Sequence, residues 1–262
     1  MKAIITGASQ GIGGSIALML AQEAAARGHN AQIVLTASGS KPEPEELIES
    51  IERAGGKTLY LTGDLAEAQV SLDIAARTVE FLDGEMDCFV SNAGVSAPAA
   101  LHDLPLEKWD WMFNVNVRPT FILSQAFRPS LAARKGSITA VASMSGQRPH
   151  PGLGAYSAAK AALIMLCRQI AQEWAAEGIR ANVVAPGMIR TPLTEKIYHH
   201  DEVRRHREAL VPLGRIGTPE DIAGLVVFLA SPAASYVTGE VLRADGGLCD
   251  RTLGAVPGLP KE

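Results

Sequence analysis

Tyr156 and Lys160 stand four residues apart, with Ser143 upstream of the tyrosine. Ala155, Ala158, Ala159, Ala161 and Ala162 surround the pair and favour a helix. On a helix the two side chains share one face, with Cβ atoms about 5–6 Å apart. A free phenol, with a pKa of about 10, is a poor base at neutral pH. An ammonium about 4 Å from its oxygen, at an effective dielectric near 20, favours the phenolate by about 4 kcal/mol. That is roughly three pKa units before any cost of desolvation. A tyrosine held in this way exchanges a proton with an alcohol or a carbonyl near pH 7. The pattern Tyr-x-x-x-Lys is short, and many helices carry it without chemistry, so its meaning depends on the elements that position it.

Those elements alternate. Short apolar runs at Lys2–Thr6, Gln32–Thr36, Thr58–Thr62, Asp87–Ser91, Ser137–Ala142, Arg180–Ala185 and Glu240–Ala244 read as strands. Helical stretches lie between them: one through Ile16, Leu18, Met19 and Leu20, then Glu43–Ala54, Ala66–Leu82, about Glu107–Ala133, Ala155–Ala176 and Pro219–Ala230. Regular alternation predicts a single Rossmann-like, doubly wound parallel sheet of about seven strands with helices on both faces. No linker or repeat interrupts it, so residues 1–262 read as one domain. A substrate-side helical insert is expected at about 190–215 and a flexible tail at 254–262. Ligands of such sheets bind beyond the C-terminal ends of the strands. Gly7–Gly13, Asp64, Asn92–Gly94, Ser143 and Pro186-Gly187 all fall there.

The first strand ends at Gly7 and runs through Ala8-Ser9-Gln10-Gly11-Ile12-Gly13 into a helix. A strand, glycine turn and helix in that order point backbone N–H groups at a phosphate. The spacing G-x-x-x-G-x-G differs from the common dinucleotide fingerprint. The same residues match the G-x-S-x-G elbow of serine hydrolases, with Ser9 as nucleophile. Against that reading, no downstream histidine stands where a triad needs one. At the end of the second strand, Ala37 occupies the place where an NAD site tends to carry Asp or Glu. Ser38, Gly39, Ser40 and Lys41 follow and suit a 2′-phosphate, so NADP(H) is favoured and NAD(H) is the alternative.

Bulk properties exclude other classes. The chain of 262 residues is 47% hydrophobic and 20% charged, with a net charge of −4. The densest cationic run, Arg204-Arg205-His206-Arg207, is flanked by Asp201, Glu202 and Glu208 and reads as a solvated helix face, so nucleic-acid binding is not expected. Cys88, Cys167 and Cys249 show neither metal-ligand spacing nor a disulfide framework, which points to a reducing cytoplasm. The apolar start is too short for a signal peptide, and no stretch suits a membrane span. His199-His200 has no partner at ligand spacing, so no metal site is expected.

Taken jointly, the motifs resemble the single-domain short-chain dehydrogenases/reductases, in outline similar to 3-oxoacyl reductases. The resemblance rests on Thr6-Gly7-x-x-x-Gly11-Ile12-Gly13, Asn92-Ala93-Gly94, Asn116, Ser143, Tyr156-x-x-x-Lys160 and Pro186-Gly187-x-Ile189-x-Thr191. It continues through Pro212-Leu213-Gly214-Arg215, Gly239 and Asp245-Gly246-Gly247. It implies hydride transfer between the dinucleotide and a ketone or secondary alcohol. Tyr156 would be the general acid/base, Ser143 would bind the substrate oxygen, and Lys160 would bind the nicotinamide ribose and depress the tyrosine pKa. Asn116 would hold a water that links Lys160 to solvent. The implied cofactor contacts are Gly7, Ser9, Gln10, Gly11, Ile12, Gly13, Ala37, Ser38, Asp64, Leu65, Asn92, Ala93, Gly94, Pro186, Gly187, Ile189 and Thr191, together with Tyr156 and Lys160. Blander readings stand beside three of these: Ser143 as a strand end, Asn116 at a helix bend, and Asp64 as a helix cap.

Three departures from the family pattern stand out. Gln10 replaces the basic residue that NADP-using members often carry before the second glycine. Ala21–Asn30 is about a turn longer than expected. Pro119 stands where glycine is common and should bend its helix, because it lacks an N–H and crowds the carbonyl of Val115. Substrate contacts are expected from Met144, Gln147, Arg148, His150, Leu153, Met188, Leu193 and Tyr198. The resemblance also implies a homotetramer or homodimer. A catalytically silent dinucleotide sensor is the rival class, but it has no use for Ser143, Tyr156, Lys160 and Asn116 together.

Overall fold

The computed structural model describes residues 1–39 and 41–255. Ser40 and residues 256–262, which include most of the expected tail, lie outside the described residues. Seven strands form one sheet: β1 (Lys2–Ile5), β2 (Gln32–Ala37), β3 (Lys57–Thr62), β4 (Cys88–Ser91), β5 (Ser137–Val141), β6 (Arg180–Pro186) and β7 (Val241–Ala244). Their order is β3-β2-β1-β4-β5-β6-β7, and every pairing is parallel. The expected Rossmann-like sheet of seven strands is what the chain forms.

Parallel sheets are covered on both faces, so their strands are apolar on both sides. β1 shows this residue by residue. Ile5 joins Ile16, Leu20, Ile33 and Val226 on one face, beneath α1 (Gly11–Ala26) and α9 (Pro219–Ala230). Ile4 points the other way, to Val34, Phe89, Leu123 and Phe127, beneath α3 (Ala68–Phe81) and α5 (Arg118–Arg134). Phe89 and Phe127 meet edge to face, with ring centroids 5.3 Å apart, a favoured aromatic geometry. α2 (Glu45–Arg53) and α6 (Tyr156–Trp174) complete the cover. Strand order reverses between β1 and β4, and the crevice of a doubly wound fold opens at such a point.

One expected helix takes another form. The stretch expected at Glu107–Ala133 is two helices, α4 (Leu106–Asn116) and α5, parted at Val117 with φ −126° and ψ −56°. The break goes beyond the bend predicted at Pro119. Proline is accepted in a first helical turn, where its missing N–H has no intrahelical partner, but not in an interior. The chain restarts its helix one residue before Pro119, and that puts the proline in the first turn. The expected helical insert consists of two helices, α7 (Glu195–Tyr198) and α8 (Asp201–Leu210). The lengthened first helix ends at Ala26, where Gly28 adopts φ +74°.

Candidate active site

A cleft of about 840 Å³ opens beyond the C-terminal ends of the strands. Of the residues expected in catalysis or at the cofactor, all but two line it: Gly7, Ser9, Gln10, Gly11, Ile12, Ala37, Ser38, Asp64, Leu65, Asn92, Ala93, Gly94, Ser143, Tyr156, Lys160, Pro186, Gly187, Ile189 and Thr191. Gly13 and Asn116 stand behind the wall.

The floor of one half is backbone. Gly7 and Gly11 have φ of +65° and +59°, a conformation that glycine adopts without steric cost. A Cβ on Gly13 would lie 2.6 Å from the Asn92 amide nitrogen, so Gly13 lets the helix pack onto the turn. Asn92 Nδ2 donates to the carbonyls of Thr6 (2.9 Å) and Gly7 (3.0 Å). Thr6 Oγ1 in turn accepts from the N–H groups of Asn92 and Ala93, both at 3.0 Å. These bonds clamp the end of β4 to the glycine turn. Extended Gln10 precedes α1, no side chain caps the helix, and no acidic residue lies in its first turn. The first N–H groups of a helix lack intrahelical partners and attract anions. Together with glycines that admit no Cβ, this cradle fits a dinucleotide's phosphates. Among the described residues, the histidine that lines the cleft, His150, bonds Ser145 Oγ at 3.2 Å.

The outer end of this half lacks a carboxylate at the β2 terminus. Ala37, Ser38, Gly39 and Lys41 line it, and Tyr60 Oη donates to the carbonyls of Lys41 and Pro42 at 3.2 and 3.0 Å, which fixes the turn that carries the lysine. Asp64 faces the same end, and its Oδ1 accepts the N–H of Ala66 at 2.9 Å. It therefore closes a local turn as well as lining the cleft.

The other half is built by side chains. β5 delivers Ser143, whose Oγ accepts the N–H of Ser145 at 3.1 Å. Tyr156 opens α6, and Lys160 lies one turn on, 3% exposed. Lys160 Nζ donates to the carbonyl of Val141 at 3.1 Å and sits 5.7 Å from the centroid of the Tyr156 ring. Burial pulls the lysine down to about 8. The expected depression of the phenol is not what this arrangement produces. Burial raises the Tyr156 pKa above its ordinary value, and the Ser143 hydroxyl draws it partly back. The lysine is turned to the Val141 carbonyl, and desolvation is the larger influence on the phenol.

Asn116 differs from its expected place. It is buried at the end of α4, where Nδ2 donates to the carbonyls of Val95 (3.1 Å) and Met112 (2.9 Å) and Oδ1 accepts the N–H of Val95 (3.1 Å). Its amide is thus largely used to pin the strand extension after Gly94 to the helix end. Gly94 leaves room for it, since a Cβ there would lie 2.8 Å from Asn116 Oδ1 and 3.1 Å from Lys160 Nζ. On the far wall, Thr194 Oγ1 donates to the Ile189 carbonyl at 2.8 Å and accepts the N–H of Thr191 at 2.9 Å, holding the loop after Gly187.

Of the expected substrate contacts, Met144, His150, Leu153, Met188, Leu193 and Tyr198 line the cleft. Gln147 and Arg148 do not; Arg148 instead lies 3.9 Å from Asp250. The sequence reading missed Val95, Ser96, Trp111, Val115, Ser145 and Arg207. The i,i+4 spacing of Trp111 and Val115 was an available signal. Among the described residues, no three His, Cys, Asp or Glu gather as a metal site, and no helix is long and apolar enough to cross a membrane.

A family model described as Enoyl-(Acyl carrier protein) reductase matches residues 7–249. The chain is 37% identical over 246 residues to the 3-oxoacyl-[acyl-carrier-protein] reductase FabG of Thermotoga maritima, covering 94% of this chain and 96% of that one. It is 36% identical to an L-rhamnose 1-dehydrogenase (NAD(P)(+)) of a Sphingomonas species, covering 94% of each. Among solved structures, one from Agrobacterium tumefaciens with bound NADP superposes with a TM-score of 0.82 at 35% identity, covering 95% of this chain and 96% of that one. Its name carries a provisional 2-deoxy-D-gluconate 3-dehydrogenase assignment.

Proposed function

This chain belongs to the short-chain dehydrogenase/reductase family, whose members are NAD(P)-dependent oxidoreductases acting on CH–OH and C=O groups, and we propose that it is an NADP(H)-dependent ketone reductase. In reverse it would oxidise a secondary alcohol. The observation that carries the proposal is the meeting of Ser143, Tyr156 and buried Lys160 on one wall of the cleft that also holds the glycine cradle.

The dinucleotide supplies hydride when bound. Ser9–Gly13, Asp64, Leu65, Asn92–Gly94 and Pro186–Thr191 would hold it, with Lys160 on its ribose. As the carbonyl carbon gains hydride, its oxygen gains charge, and two donors await that charge. The Ser143 hydroxyl donates a hydrogen bond, and Tyr156 gives up the phenolic proton to complete the alcohol. A phenol is protonated at neutral pH, so Tyr156 can serve as the acid in the reductive direction. Asn116 serves by pinning Val95 beside Gly94 and Lys160.

NADP(H) is favoured by the absence of a carboxylate at Ala37 and by Lys41 beside it. The relative solved with bound NADP and the rhamnose dehydrogenase named for NAD(P)(+) are compatible with either choice. Exposed Trp109, Phe121 and Met165 on α4, α5 and α6 support a homodimer or homotetramer. The free thiols Cys88, Cys167 and Cys249 fit a cytoplasmic setting. The test is a thermal-shift titration with NADPH and NADH side by side. A ligand at a hundredfold excess over its Kd stabilises by about 2.7 kcal/mol, which raises Tm by about 5–10 °C in a chain of this size. A shift with NADPH well above that with NADH supports the reading. A larger NADH shift keeps the enzyme class and overturns the NADP preference. No shift with either leaves a reductase without its cofactor and refutes it.

A further inference from the structure

We infer that Arg207 is an anion anchor at the substrate end of the cleft, so that the physiological ketone or alcohol carries a carboxylate or phosphate group. The inference rests on the ketone-reductase reading and adds the substrate class to it. Arg207 lies on α8 and lines the same cleft as Tyr156. Its guanidinium carbon sits 5.8 Å from the centroid of the Tyr198 ring, and Tyr198 is itself 3% exposed. The ring therefore fixes where the cation stands. A ring face attracts a guanidinium but accepts few of its five N–H donors.

No protein anion takes those donors among the described residues. Arg204 is held by Asp201 and Glu208 on its own helix, Arg190 by Glu195 and Arg215 by Asp221. Arg207, half-buried, has no such partner. Among the described residues, the one carboxylate in the cleft wall is Asp64, which follows β3 at one edge of the sheet, whereas Arg207 belongs to the segment after β6. The cleft that Arg207 lines is also walled by apolar and aromatic groups such as Trp111, Met144 and Leu153. Low-dielectric walls with charge of one sign focus the field on an entering ion. A guanidinium also matches carboxylate and phosphate oxygens two at a time. A neutral ketone leaves this cation unused, while an anionic one is oriented by it with its carbonyl free to meet Ser143 and Tyr156.

The experiment compares matched ketones with NADPH: levulinate against its ethyl ester, and dihydroxyacetone phosphate against dihydroxyacetone, for the wild type, Arg207→Met and Arg207→Lys. The wild type is expected to favour the charged member of at least one pair by about 10- to 100-fold in kcat/KM, the range of a charge-assisted contact. Arg207→Met should erase that preference, and Arg207→Lys should restore part of it. Which pair responds tells carboxylate from phosphate. The inference is overturned if the wild type favours neither charged probe, or if the preference survives Arg207→Met. It is also overturned if Arg207→Met weakens the NADPH thermal shift as much as it weakens turnover of the charged probe, because the arginine then serves the dinucleotide. Turnover of none of the four probes, with NADPH bound, refutes the reductase reading and the inference with it.

Discussion

Around the glycine turn, the cleft is shaped by main chain: positive-φ glycines, an uncapped helix start, and an asparagine whose amide is spent on two carbonyls. Beyond Ser143, the same cleft is shaped by side chains set on separate elements: a serine after β5, a tyrosine and lysine on α6, and a tyrosine and an arginine on α7 and α8. The first half can only recognise a shape common to one class of ligand, because backbone N–H groups read phosphate and little else. The second half carries the proton chemistry and the choice of substrate, because its groups differ in charge, size and pKa. A substitution in the first half should alter binding or folding, and one in the second should alter turnover or selectivity.

The largest effect that separates the halves is expected from Tyr156→Phe. It should lower kcat for ketone reduction by about 10²- to 10⁴-fold, the usual weight of a positioned acid. The NADPH thermal shift should remain. Equal loss of both would erase the contrast between the halves. Next is Ala37→Asp, which places a carboxylate where a 2′-phosphate would lie. Isothermal titration should show NADPH affinity falling about tenfold or more relative to NADH, as for a charged group set against a charge. An unchanged ratio would mean that the β2 terminus does not read that position.

Gly94→Ala probes the seam between the halves. Its methyl group would press on Asn116 Oδ1 and Lys160 Nζ, and overpacking of this kind costs about 1–3 kcal/mol. Urea denaturation should register that loss; stability equal to the wild type would show that the seam yields easily. The smallest effect concerns Lys160. Its pKa of about 8 in the fold lies below the ordinary 10.5, so between those values the unfolded chain binds more protons and stability rises with pH. Below about 8 both states are charged and the burial cost is complete. Between pH 7.5 and 9 the lysine should add about 1 kcal/mol of stability. The thiols of Cys88 and Cys167, pushed up to about 12 by burial, act in the opposite sense as pH climbs past 9. They cancel in the difference between the wild type and Lys160→Met, which should lose the rise. Parallel pH profiles for the two proteins would mean that the ammonium is hydrated.

The same contrast explains what could be read in advance. Gly7, Gly11 and Gly13 were legible because only glycine meets their backbone demands, so residue type and conformation are one signal. Tyr156 and Lys160 were legible because a single helix fixes their relation. Arg207 was not. In the sequence it belongs to a cationic run flanked by acids, and Arg204 behaves as such a run predicts, with Asp201 and Glu208 as partners. What sets Arg207 apart is the break between α7 and α8, which brings Tyr198 beneath it. No local spacing encodes that. For Lys160 and Tyr156 proximity was legible, but the cost of desolvation was not, because burial is set by the fold and not by local spacing. The partner of Asn116, Val95, lies 21 residues away and is chosen by the fold.

The most direct test of the central claim follows one hydrogen. Wild-type protein is given NADPH carrying two deuteriums at the transferring carbon together with a ketone, and the alcohol product is analysed by mass spectrometry. Deuterium bound to the carbinol carbon in stoichiometric yield, with the hydroxyl proton drawn from solvent, is the predicted result. An alcohol unlabelled at that carbon, or no alcohol at all, would contradict it.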